Sequence, residues 1–173
     1  FIPVYGKANV EADIALADHL KAKFEARDTP EQKKLKQKSD IFEATVLTQA
    51  ESRKWFGDAT LLKTSRFDDY KNKVDMIVEW FTPSEGSRVL ALAVDVTFSA
   101  ESVQEKLETI KREIGSGELG SIKYFKDKHG DFMGIRNNVP RIVIGVSEPV
   151  IEDLADLWVR GEHKCFRYTH LAD

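Results

Sequence analysis

The runs Val74-Asp75-Met76-Ile77-Val78-Glu79-Trp80-Phe81 and Val89-Leu90-Ala91-Leu92-Ala93-Val94-Asp95-Val96, separated by Pro83-Ser84-Glu85-Gly86-Ser87, decide the architecture. The first is rich in β-branched and aromatic residues, the composition of a strand. The second is almost continuously apolar, as a central strand covered on both faces is. The proline, serines and glycine between them turn the chain. A turn centred on Glu85 sets Thr82 opposite Arg88, Asp75 opposite Asp95 and Lys73 opposite Thr97. Directly opposed residues on antiparallel strands share a face, with Cβ atoms roughly 4.5 to 5.5 Å apart. Two carboxylates are thereby driven together, and Asp95 interrupts an apolar run where an uncompensated charge is costly. Protonation of one acid relieves the repulsion, but a hard divalent cation between them is the simpler relief. Mg²⁺ takes oxygen ligands at about 2.0 to 2.1 Å and keeps several waters, so two carboxylates and substrate phosphates suffice. The alternatives are a one-residue slip, which would put the acids on opposite faces, or simple pairing with Lys71 or Lys73.

Upstream, Val10, Ile14, Ala17, Leu20 and Phe24 recur at helical spacing after the N-cap Asn9, predicting a helix to about Arg27. Thr29, Pro30 and Gln32 form the N-cap, first-turn proline and capping-box partner of a second helix reaching about Lys54. Its buried stripe is Leu35, Phe42, Val46 and Ala50. Thr60 to Thr64 is a short strand and Arg66 to Asn72 a polar connection. Downstream, Ser99 caps a helix that turns Val103, Leu107, Ile110 and Ile114 inward and stops at Gly115-Ser116-Gly117. Ile122 to Phe125 and Asp131 to Ile135 flank Lys128-His129-Gly130 as a small hairpin, and Pro140 to Val146 is a further buried strand. A last helix opens at Ser147-Glu148-Pro149 and carries Val150, Ile151, Leu154, Leu157 and Trp158 toward the core. This order predicts an α/β (α+β) domain over 29–173, its mixed central sheet flanked by helices on both faces, with residues 1–28 as an N-terminal helical extension.

The 173 residues, 42% hydrophobic and 32% charged, suit one soluble domain with a single core. A net charge of -3 argues against a wholly basic nucleic-acid coat but leaves room for a local basic patch. With Cys165 alone, no intrachain disulfide forms and a cysteine-based metal site lacks ligands, so a reducing cytoplasm is the expected home. No membrane span or secretion signal is expected, and a chain opening on Phe1 leaves room for flanking parts. His19, His129, His163 and His170 show no zinc spacing, and no glycine pattern forms a phosphate-binding loop. Lys123, Lys126, Lys128 and Arg136, interleaved with Tyr124, Phe125 and Phe132, make a basic, aromatic stretch suited to a phosphate backbone; those aromatics equally suit a core.

The element order, with Asp75 opening one strand and Asp95-Val96-Thr97 closing the next, resembles the PD-(D/E)XK nuclease superfamily. The stretches Asp68-Asp69-Tyr70 to Asp75 and Ala93 to Thr97 are also similar to small nuclease-like bacterial proteins. The likeness spans about Asp40 to Trp158 and implies a restriction-endonuclease-like αβββαβ core. It implies a Mg²⁺- or Mn²⁺-dependent endo- or exodeoxyribonuclease, with Asp75 and Asp95 as metal ligands and DNA as partner. It also implies a glutamate from the preceding helix, a place that Glu43 fits. Around that helix Val46 lies at about 40°, Ala50 at about 80° and Glu43 at about 100° from Phe42, so Glu43 borders the buried face. Pairing with a lysine or Arg53 is its structural alternative. The family lysine falls two residues after the second acid, where this chain has Thr97. Lys73, or Lys106 and Lys111 beside the next helix's apolar stripe, are the candidate replacements. Asp69 and Glu79 are weaker candidates. If no lysine substitutes, the expectation becomes an inactive nuclease-fold module that binds nucleic acid or a protein. A homodimer or larger complex is compatible with either.

Overall fold

In the computed structural model, residues 1–52, 54–82, 88–97, 100–127, 130 and 132–160 are described. The chain runs α1 (Ile2–Tyr5), α2 (Lys7–Glu25), α3 (Pro30–Ser52), β1 (Thr60–Lys63), α4 (Arg66–Asn72), β2 (Met76–Thr82) and β3 (Arg88–Thr97). It continues through α5 (Ala100–Ser116), β4 (Gly120–Lys126), β5 (Met133–Val139), β6 (Arg141–Gly145) and α6 (Glu148–Val159). The expected turn over 83–87, the Ser99 cap, Lys128, His129, Asp131, His163, Cys165 and His170 lie outside the described residues, as do the side chains of Leu154 and Trp158.

The central sheet has the order β1-β2-β3-β6, antiparallel across its first three strands and parallel between β3 and β6. It is therefore a mixed sheet in an α/β protein. The β2–β3 ladder runs from Met76 opposite Val94 to Thr82 opposite Arg88, the register that a turn about Glu85 requires. Successive side chains then fall to opposite faces. Met76, Val78 and Val94 pack with Phe42, Val46 and Ala50 of α3 and Ile151 of α6. Ile77 and Ala93 face the other way, onto Ile122 and Phe125 of β4 and Val139 of β5. That second face carries a separate two-stranded sheet, β4–β5, rather than helices alone. Pro140 passes the chain from that hairpin to β6, and its carbonyl accepts from Ala93 N–H at 2.8 Å.

Helix α3 begins as its sequence dictates. Thr29 N–H donates to Gln32 Oε1 at 2.8 Å, and Gln32 N–H donates to Thr29 Oγ1 at 3.3 Å, so two otherwise orphaned amides are satisfied reciprocally. Phe42, Val46 and Ala50 are buried as expected, but Leu35 is exposed because the first turns of α3 carry no residue of the sheet core. In α2 only Ala17 of the expected stripe is fully buried; Ile14 and Phe24 are exposed on this outer layer, which packs against α4.

Residues 66–72, expected as a connection, form α4. The Ser65 hydroxyl accepts from Asp68 N–H at 3.1 Å and donates to Asp68 Oδ2 at 2.7 Å, while Asp68 and Asp69 place negative charge in the first turn. The fully buried Asp68 carboxylate also accepts from Asn72 Nδ2, Lys123 N–H and Tyr124 N–H at 2.7, 2.7 and 3.0 Å. It ties α4 to β4. No helix among the described residues is long and apolar enough to cross a membrane.

Candidate active site

Helix α4 ends by setting Lys73 in the left-handed region (φ 54, ψ 51), and the amides of Lys73 and Val74 both close on the Asp68 carbonyl. This reverses the chain, so Asp75 arrives one residue before β2. Its N–H donates to Val94 O at 3.1 Å, and its carbonyl accepts from Thr64 N–H at 3.2 Å. The β2–β3 ladder stops at Met76 for that reason, and Lys73 does not stand opposite Thr97. Lys73 is exposed at the cleft rim.

Asp75 and Asp95 both line one open cleft of about 480 Å³ between α4, the ends of β2 and β3, and α5. Both are buried. Asp95 Oδ1 accepts from Lys106 Nζ at 2.6 Å, and Oδ2 lies 3.4 Å from Arg141 Nη1. The repulsion anticipated between the acids is thus balanced at Asp95 by two cations. A preformed cage is absent: among the described residues no group of three or more acids, histidines or cysteines is arranged to hold a metal.

Lys106 reaches Asp95 because α5 is rotated relative to the expected orientation. Leu107 is 40% and Ile114 67% exposed, whereas Lys106, Thr109 and Glu113 line the cleft. These three recur at i, i+3 and i+7, a single helical stripe. Of the candidate lysines, Lys111 instead pairs with Glu108 on the exposed side at 2.7 Å. Thr97 does not line the cleft; it is buried beside Gly145, to which it is paired.

Glu43 is not a cleft residue. Its Oε2 lies 3.2 Å from Lys63 Nζ on β1, and burial holds its carboxyl above the usual range, against the pull of Lys63. Asp69 does line the cleft, and burial, with the Asp75 charge next, pushes it up to about 6. Lys63 feels Glu43, Asp69 and Asp75 together, which links Glu43 to the site at one remove. Glu79 is buried within β2, away from the cleft lining.

The expected phosphate-tracking residues are placed differently. Lys123 Nζ pairs with Asp13 and sits over the rings of Tyr5, Phe67 and Tyr124 at 5.5, 5.1 and 5.8 Å, which makes it an internal tie between α2 and β4. Lys126 is exposed at the end of β4, and Arg136 lies over Phe132 at 6.0 Å. None of the three lines the cleft. Sequence reasoning missed Arg141 and Glu113. The available signal was an arginine opening the apolar strand Ile142-Val143-Ile144 next to a central strand that carries an acid.

No protein-family model matches the chain, and neither a curated protein nor a solved structure was found with significant similarity to it.

Proposed function

We propose that the cleft is the centre of a Mg²⁺-dependent phosphodiesterase acting on DNA, a divergent relative of the PD-(D/E)XK nucleases with a restriction-endonuclease-like core. One observation carries this: Lys106 Nζ lies 2.6 Å from Asp95 Oδ1 in the cleft that Asp75 also lines. A lysine two residues after the second acid would share its face, since strand side chains alternate. Thr97 holds that position but is packed beside Gly145, and α5 delivers an ammonium to the same carboxylate instead.

Asp75 and Asp95 would hold the ion, with Mn²⁺ as a substitute. When bound there, Mg²⁺ would supply polarisation of a phosphoryl oxygen and a lowered pKa for water. Lys106, 26% exposed and seated on Asp95, would place its ammonium beside an incoming phosphate or attacking water and offset its charge. Glu43 acts only through Lys63, and Asp69 adjusts the charge beside Asp75.

Incubation with linear, circular and branched DNA in Mg²⁺ or Mn²⁺ tests this. Cleavage by the wild type, lost in Asp95→Asn, is the expected result; intact DNA under every condition counts against it. A second reading is a nuclease-fold module without chemistry, binding nucleic acid or a protein. The double pairing of Asp95, which balances its charge without a metal, favours it. DNA binding without cleavage in either metal would select that reading.

A further inference from the structure

We propose that Arg141, fixed by Glu113, is a positioning residue that sets Asp95 against the segment carrying Asp75; this rests on the proposed metal-dependent centre. Arg141 opens β6, where its partner on β3 is Ala93, so its side chain shares the Ala93 and Asp95 face. The guanidinium is 6% exposed. A guanidinium has five N–H donors in a rigid plane. All five have acceptors here. Nε faces Glu113 Oε2 at 3.4 Å, and Nη2 faces Glu113 Oε1 at 3.3 Å and Asn72 O at 3.2 Å. Nη1 faces the Lys73 carbonyl and, at 3.4 Å, Asp95 Oδ2.

This arrangement assigns the role in two ways. With its donors engaged, Arg141 has none to offer a phosphate, so it does not bind substrate. Its acceptors also lie on both walls of the cleft. The Asn72 and Lys73 carbonyls are the last of α4, which lack helical partners and stand just before Asp75, whereas the third acceptor is Asp95 itself. One rigid fork therefore fixes the separation of two metal-binding carboxylates that come from different elements. Asp95 is left with one buried cation, Arg141, and one more exposed, Lys106. Glu113 keeps the buried guanidinium neutralised whenever Asp95 turns its charge to a metal.

The test is calorimetric titration of Mn²⁺ into the metal-free protein, alongside kcat and KM for DNA cleavage, for wild type, Arg141→Lys, Arg141→Gln and Glu113→Gln, with folding checked by circular dichroism. A lysine retains charge but cannot bridge both walls. The expected result is folded Arg141→Lys and Glu113→Gln proteins whose Mn²⁺ affinity falls at least about tenfold and whose kcat falls while KM for DNA holds. Arg141→Lys should rescue little relative to Arg141→Gln. A role in folding alone would lower the melting temperature and leave the Mn²⁺ affinity of folded protein unchanged, which overturns the proposal; so does a change confined to KM. If Arg141 variants fail to fold, Glu113→Gln, which keeps the guanidinium and its other contacts, decides alone. If the wild type neither binds Mn²⁺ nor cleaves DNA, the metal centre itself falls and this role with it. Wild-type binding matched by every variant removes only the role of Arg141.

Discussion

Asp69 is a carboxyl whose protonation is set by its surroundings: burial, and after it the Asp75 charge, raise it from 3.8 to about 6. A carboxyl with a raised folded-state pKa binds more protons folded than unfolded. Its contribution to stability is therefore fully present below pH 4 and lost as pH rises through about 6. Asp69→Asn removes that penalty. Urea unfolding should find the variant more stable than wild type at neutral pH, by on the order of 1 kcal/mol after solvent screening in an open cleft, and unchanged near pH 4. Glu43, also raised, acts in the same sense. At Lys73, φ of 54 places an L-residue where glycine is the usual occupant of a helix C-terminus. Lys73→Gly should raise stability by about 0.5 to 1 kcal/mol in denaturant melts and leave cleavage intact, because the site uses the Lys73 carbonyl rather than its ammonium. Loss of cleavage would restore the ammonium to a catalytic role. That Asp75 and Asp95 come to one cleft was legible from the charges alone, since both interrupt otherwise strand-like runs. Arg141 was not, because its five acceptor atoms come from three separate stretches of chain, at Asn72–Lys73, Asp95 and Glu113, that only the folded protein assembles.

Between elements, the approach of α5 to the sheet controls which lysine serves Asp95. A Cβ on Gly145 would lie 2.9 Å from Val103 Cγ2, so glycine lets α5 sit close over β3 and β6. Gly145→Ala should cost about 1 to 3 kcal/mol by overpacking, measured by thermal unfolding, and should loosen the Lys106 contact. On the opposite flank, α2 is anchored by Asp13, which accepts from Lys123 and, at 2.6 Å, from Tyr124 Oη. Burial raises the Asp13 carboxyl, but those hydrogen bonds more than cancel it, leaving it below the ordinary range. Its stabilisation holds at neutral pH and is lost as pH falls below about 4. Asp13→Asn should cost about 1 to 2 kcal/mol at pH 7, with a smaller difference from wild type at pH 3. The Thr29–Gln32 box and the β2–β3 register were legible because each depends on residues close in sequence or on one turn. Helix α4 carried its own signal in Ser65 and Asp68, hidden by a lack of apolar periodicity. The rotation of α5 was not legible: Lys106 and Leu107 are neighbours, and the hydrophobic pattern favours turning Leu107 inward until the width of the gap at Gly145 is known.

For the whole molecule, the mixed sheet follows from the order of strands and helices, and β6 beside β3 follows from a crossover that short connections constrain. The hairpin was legible, but its separation into a second sheet was not; Pro140, which cannot donate, marks where the chain leaves one sheet for the other. The proposed centre depends on this assembly. Two acids from one hairpin meet a lysine from the following helix and an arginine from the strand beyond. The most direct measurement is the rate of DNA cleavage in Mg²⁺ by wild type and Lys106→Ala at equal folded concentration. Cleavage by the wild type and a rate at least about 10²-fold lower in the variant are the expected result. A variant as fast as the wild type, or a wild type that leaves linear, circular and branched DNA intact, would overturn the proposed centre.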